Sequence, residues 1–187
     1  MNNRVEENLD LTRTQTPKAL NQELKVYYTL NEDHIFSFEA QHLDQTEDPI
    51  GRAVRDRNPF LSLIPFDSNV QRFDITQNRF IETQKLEAKL DYFYLLNDQS
   101  NINLSIGFTN VAQNYLSDFN QTLDDGTTKS FDDEQFNNNV DFSFKDLYFA
   151  LNYRIRTGIF TIDPGLTLHF YDNNNTQLGQ ILSLIHI

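Results

Sequence analysis

The stretch DFSFKDLYFALNYRIRTGIFTIDPGLTLHFY, residues 141–171, decides how the chain is read. Up to the dipeptide Thr157-Gly158, Leu147, Phe149, Leu151, Tyr153 and Ile155 alternate with residues that are mostly polar, such as Asn152, Arg154 and Arg156. Beyond it, Phe160, Ile162, Pro164, Leu166, Leu168 and Phe170 alternate with Thr161, Asp163, Gly165, Thr167 and His169. A period of two puts one set on each side of a pleated strand, and a tight turn between two such runs makes an antiparallel hairpin. The runs exceed the usual strand of about 5–6 residues, and the second face is polar without being a densely charged surface. A membrane-spanning β-barrel needs that combination, because lipid meets one face and a wet lumen the other.

Working outward, two more hairpins of the same design precede this one. In residues 23–43, Leu24, Val26 and Tyr28, then Phe36, Phe38 and Ala40, share one face, and Asn31-Glu32-Asp33-His34 supplies the turn. In residues 83–109, Leu86, Ala88, Leu90, Tyr92, Tyr94 and Leu96 lead through the turn 97–101 to Ile102, Leu104, Ile106 and Phe108. Between the hairpins lie long polar stretches, 44–81 and 110–139, and a further one opens at residue 172. Residues 1–22 read as a loop or strand connection, and 172–181 as the start of an outer loop. The expected fold is all-β: an antiparallel up-and-down meander of about six strands, forming part of an outer-membrane β-barrel. Short turns alternating with long loops match the periplasmic and extracellular ends of such barrels. A soluble β-sandwich also alternates, and it would bury Phe149, Leu151, Ile155, Phe160, Ile162 and Leu166 against a second sheet. Tyr28, Tyr92 and Tyr94 sit where interfacial aromatic girdles form.

Composition narrows the function classes. The chain has 187 residues with 39% hydrophobic residues, 13% aromatic ones and no Trp, which suits apolar residues confined to alternate positions. No apolar run approaches the roughly 20 residues of a membrane helix. A net charge of −12 opposes the positive surface that phosphate binding requires, so nucleic acid is excluded as a partner. Cysteine is absent, which removes disulfides and thiolate metal sites. HExxH, GxSxG, Walker and GxGxxG patterns are also absent, so neither a cofactor nor enzymatic activity is expected. The histidines His34, His42, His169 and His186 occur singly; His169 falls on the polar face and is read as a lumen-facing residue. Arg52, Arg55 and Arg57, with Phe60 and Phe66 nearby, are loop candidates for binding an anionic ligand. Asp124, Asp125, Asp132 and Asp133 are weak oxygen-ligand candidates that lack EF-hand spacing.

The phrases YYTLNEDHIFSFEAQHL, KLDYFYLLNDQSNINLSIGFTN and LYFALNYRIRTGIFTIDPGLTLHFY resemble the middle of a TonB-dependent outer-membrane receptor barrel. The resemblance is one of style, strand, Asn/Asp-rich turn, strand and long loop, over about residues 23–171. It implies a large closed barrel in the bacterial outer membrane, an N-terminal plug, contact with the TonB complex and import of a scarce ligand such as a siderophore, vitamin or glycan. A passive or structural outer-membrane barrel and a secreted β-sandwich binding module are the alternatives. No signal peptide, plug or TonB-contacting segment is recognisable near Met1, and 182–187, LSLIHI, looks like translated sequencing-adapter DNA. The chain is therefore expected to be a fragment. Six strands fall short of the eight or so of the smallest transmembrane barrels, so it is expected not to insert stably alone.

Overall fold

A computed structural model describes residues 7–59, 64–131, 137–177 and 180–184, the last of these as backbone only. The strand segments are β1 (Leu9–Thr14), β2 (Lys18–Thr29), β3 (His34–Glu47), β4 (Ile50–Arg55), β5 (Phe73–Asn97), β6 (Ser100–Thr122), β7 (Thr128–Ser130), β8 (Asn138–Thr157), β9 (Phe160–Ile162), β10 (Gly165–Gln177) and β11 (Gln180–Leu184). All pairings are antiparallel and fall in one open sheet. Among the described residues there is no second sheet. Apolar residues that a sandwich would cover stay uncovered: Phe149 is 43%, Leu166 60% and Phe160 65% exposed.

Three short turns set the meander. Asn31 accepts hydrogen bonds through Oδ1 from the amides of Asp33 and His34, closing β2 onto β3. Asn97 accepts from the Gln99 amide in the same way, so the β5–β6 turn is only Asp98-Gln99 and not the five residues 97–101. Gly158 turns β8 into β9 at φ 59°, in the left-handed region where a Cβ is costly. All three lie at one end of the sheet, and the long connections lie at the other.

The ladder runs well past the expected hairpins. The stretch 1–22, read as a loop or connection, contains β1 and the start of β2; 44–81 contains β4 and the first part of β5; 110–139 contains the second half of β6 and the start of β8. The expected outer loop 172–181 holds the end of β10, paired with β8 from Gln177↔Val140 onward, and the start of β11. In β11, Leu182, Ser183 and Leu184 pair with Asn175, Asn174 and Asn173, while 185–187 lie outside the described residues. These extensions have little apolar alternation of their own. Their pairing is carried by backbone hydrogen bonds in a register inherited from the apolar rows below. Two prolines interrupt the ladder at one level: Pro17 separates β1 from β2, and Pro49 separates β3 from β4, as expected of a residue that cannot donate to a ladder. There the Thr16 amide bonds to Asp48 Oδ1 at 2.8 Å, and the Arg79 amide bonds to the Pro49 carbonyl at 3.1 Å.

The buried core is small and lies at the long-loop end. Ile64 and Phe66 of the connection 56–72 pack with Phe73, Ile75 and Phe131, flanked by Val70 and Phe119. Phe66 and Phe131 meet edge to face at 5.0 Å. Gln121 is completely buried and clamps the connection: its Oε1 accepts from the Asp67 amide at 2.7 Å, and its Nε2 donates to the Asp67 carbonyl at 2.9 Å. Gln121→Leu keeps the volume and removes both bonds, stranding two backbone groups at a cost of about 1–3 kcal/mol each. The Asp67 amide is expected to exchange with solvent faster and trypsin to cut sooner after Arg57, while amide protection across the β5–β6 ladder stays unchanged.

Candidate functional site

The register places every apolar set of the three hairpins on one side. Val26, Phe38, Leu90, Ile106, Phe149 and Leu168 form one continuous row across β2, β3, β5, β6, β8 and β10. Rows above and below repeat the pattern, and the band spans nine residues along β8, from Leu147 to Ile155. A tilted transmembrane strand needs about 9–11. On β6 the usual distribution of burial is inverted. Along β6, Leu104, Ile106 and Phe108 on the apolar side are 43%, 38% and 37% exposed, whereas Ser105 on the polar side is 9% exposed. Gly107, also on the polar side, is covered by the Tyr148 ring of the next strand, which occupies the space a Cβ would need.

An aromatic cluster borders the band at the short-turn end. Phe36 stacks on Tyr92 at 4.8 Å, His34 on Tyr94 at 4.5 Å, and His34 Nδ1 lies 2.7 Å from the Tyr92 hydroxyl. Tyr28 joins through Phe36 at 6.4 Å. The three tyrosines read from sequence as girdle residues are thus brought to one edge. Such amphipathic rings suit a boundary between apolar and aqueous surroundings.

The polar side carries charges that neutralise one another in place. Lys25 pairs with Glu23, Lys85 with Glu87 and Lys89 with Asp91, and Asp91 also accepts from the Ser105 hydroxyl. His169 lies on this side as expected, with Nδ1 2.9 Å from Asp146 Oδ2 and its ring beside Tyr148.

The structure turns the Arg52 and Arg55 side chains to opposite sides of β4, although both border one pocket, and it leaves Arg57 outside that pocket. Arg52 lies on the apolar side of the sheet, above the band, with Nε and Nη2 donating to the two carboxylate oxygens of Asp74. Arg55, an odd number of residues away, points to the polar side and pairs with Glu7 at 2.8 Å. Arg57 is exposed in the connection. Phe60 lies outside the described residues, and Phe66 is buried in the core instead of meeting a ligand. Arg72 binds Asp10 and Asp56, each at 3.0 Å, fastening the root of the connection to β1.

Of the acidic candidates, Asp124 accepts from the Gln71 amide, and Asp125 accepts from both the hydroxyl and the amide of Thr127. Asp132 and Asp133 lie outside the described residues. Among the described residues no three metal-ligating side chains gather.

A pocket of about 420 Å³ opens at the long-loop end, chiefly on the polar side. One of its rows is Arg13, Gly51, Gln77 and Phe119 on β1, β4, β5 and β6; the next is Leu11, Ala53 and Ile75, with Pro59 and Arg55 at the rim. Sequence reasoning missed Arg13, Gly51 and Phe119. The signal for the first was the alternation of Leu9, Leu11 and Arg13 against Asp10 and Thr12, cut short by Pro17.

No family model matches the chain, and no curated protein matches it. Among solved structures, ferric citrate transporter FecA in its unliganded form resembles it weakly, with a TM-score of 0.39 and 12% sequence identity. The match covers 91% of this chain and 32% of that one, so the chain spans about a third of that structure.

The Asp125 turn lies outside the band and yields a pH prediction. First the Thr127 hydroxyl and then its amide hold the Asp125 carboxyl below its ordinary value. A depressed value means that the contribution is fully present above the unfolded-state pKa and is lost as pH falls through the folded one. Thr127→Val is expected to raise the Asp125 titration toward the ordinary range in a carboxyl NMR titration, and the 123–127 turn to loosen at a higher pH than in the parent chain.

Proposed function

We propose that this chain forms part of the wall of a bacterial outer-membrane β-barrel of the transport-receptor type. It takes up a scarce ligand of the siderophore, vitamin or glycan class, with energy passed from a TonB complex through a region that precedes the wall. The observation that carries the membrane reading is the uncovered apolar band. It is one spanning strand tall and six strands wide, it is bordered by aromatics at the short-turn end, and it is backed by a polar face. Monomeric proteins in water rarely leave so large an apolar patch exposed. Hydrocarbon around the band satisfies those side chains, and the ladder already satisfies the backbone groups behind them.

Strand length supports the receptor reading over a passive barrel. β5 has 25 residues and β6 has 23, more than twice what a bilayer needs. The excess stands above the band at the long-loop end and builds a tall polar wall there. A wall of that height offers a ligand a vestibule outside the membrane. The outer-membrane lipid, the small ligand and the TonB complex are the partners of this reading.

Because the chain has no Trp, single reporters are unambiguous. In micelles of a brominated maltoside, emission from Leu168→Trp is expected to be quenched severalfold more than that from Thr167→Trp, its neighbour on the polar side. Equal quenching at the two positions overturns the lipid-facing assignment. For the receptor assignment, the DNA upstream of this reading frame is expected to encode a plug in the same frame. A complete, unrelated gene ending immediately before it leaves the passive barrel as the reading.

A further inference from the structure

The pocket at the long-loop end has a definite shape. Its centre is made of the two smallest side chains available, Gly51 and Ala53, adjacent on one face of β4. On one flank stand Arg13 and Leu11 of β1; on the other stand Gln77 and Ile75 of β5, with Phe119 beyond them. A Cβ built on Gly51 would meet nothing within 4 Å, so the glycine leaves open space and no neighbouring group fills it. Small residues between larger neighbours make a trough about two rows long.

The chemistry of the two flanks differs. Arg55 at the rim is neutralised by Glu7, with its Nε and Nη2 both directed at one carboxylate oxygen. Arg13 is different: Nη2 donates to the neutral Gln15 side chain at 3.1 Å, and no described carboxylate lies within ion-pair distance of it. Gln15 in turn donates to Glu47, which steers the amide oxygen toward the guanidinium. The trough thus holds one uncompensated cation in a chain whose net charge is −12. Opposite it lies an apolar flank of Ile75 and Phe119, and Leu11 on the cationic side is 72% exposed although it lies on the otherwise polar face.

From this juxtaposition we infer that the trough is a binding site for a small organic anion, one with a carboxylate or similarly forked acidic group on a flat apolar body. The acid pairs with the Arg13 guanidinium, whose planar fork matches two oxygens. The body lies along Gly51 and Ala53 against Ile75 and Phe119. Gln77, anchored through its Nε2 to the Ser117 hydroxyl at 3.1 Å, borders the site with a fixed side-chain carbonyl. Pro59 stands at the rim, and the floor and flanks of the site belong to strands paired in one ladder. This inference deepens the receptor reading by naming the ligand class at its vestibule wall, and it rests on that reading for its biological setting.

The full chain in maltoside micelles tests it, with 4-(trifluoromethyl)benzoate as the probe and fluorine NMR as the readout. Saturable broadening of the probe signal is expected with the parent chain. It should weaken about tenfold with Arg13→Gln, as loss of a charged hydrogen-bonding partner implies. Gly51→Trp, which fills the trough and leaves the charge, should abolish it. Arg156→Gln, which removes a charge at the opposite end of the sheet, should leave it unchanged, and the neutral 4-(trifluoromethyl)benzyl alcohol should show no difference between parent chain and variants. Lack of saturation with the parent chain, or equal binding by the parent chain, Arg13→Gln and Gly51→Trp, overturns the site. The Leu168/Thr167 quenching contrast, measured on the same samples, reports the fold independently. Loss of probe binding with that contrast intact rejects the trough alone, and loss of the contrast rejects the barrel wall.

Discussion

Every strand of this sheet depends on the pairing of backbone N–H and C=O groups between neighbours. A ladder that satisfies its own polar groups can lie against hydrocarbon, whereas an unpaired one cannot. Here the side chains that normally drive a sheet to collapse are left outside. Val26, Phe38, Leu90, Ile106, Phe149 and Leu168 pack edge to edge along one row but under nothing. Burying a Val, Leu, Ile or Phe side chain is worth about 1.5–3 kcal/mol. A six-strand band forgoes this many times over, which is the physical ground for the proposed membrane setting.

The two faces solve different problems with the same periodicity. The outer face needs only apolar bulk and aromatic borders. The polar face places charged partners two residues apart on one strand, as in Lys85 with Glu87 and Lys89 with Asp91, and hydrogen-bonded partners across strands, as in His169 with Asp146. Side-chain size is matched across strands as well, with Tyr148 filling the gap left by Gly107. A one-residue slip of any strand would send its charges into the band, so the register is held firmly.

How far the sequence was legible follows from these physics. The hairpins and both their faces could be read because Leu147 to Ile155 and their counterparts put an apolar residue at every second position. Above the band that signal stops. Gln113, Asn114, Asp118 and Asn120 read as loop, yet they continue β6, because water tolerates polar residues on either side of a strand and the ladder alone maintains the pairing. β1 and β4 were lost for a related reason: Pro17 and Pro49 cut two long rows into pieces too short to show a period. The core was illegible because its key contact joins Gln121 to the backbone of Asp67 across 54 residues, and a glutamine in a polar run carries no mark of burial. Parity was the overlooked guide for the arginines. Arg52 and Arg55, an odd number of residues apart on one strand, leave it on opposite faces, and they meet only as two borders of one pocket.

Parity also explains why the trough forms where it does. At the level of the band, the lysines of the polar face are paired, Lys25 with Glu23, Lys85 with Glu87 and Lys89 with Asp91. Above the band, Arg13 stands opposite a neutral glutamine instead. There, too, Pro59, Ile64 and Phe66 come to a face that is polar elsewhere. An unpaired guanidinium and the edge of a small apolar core would each be unremarkable on a protein surface. Set across two small residues on a ladder held rigid from below, they face each other at a fixed separation, and a fixed separation is what lets a binding site select for shape as well as charge.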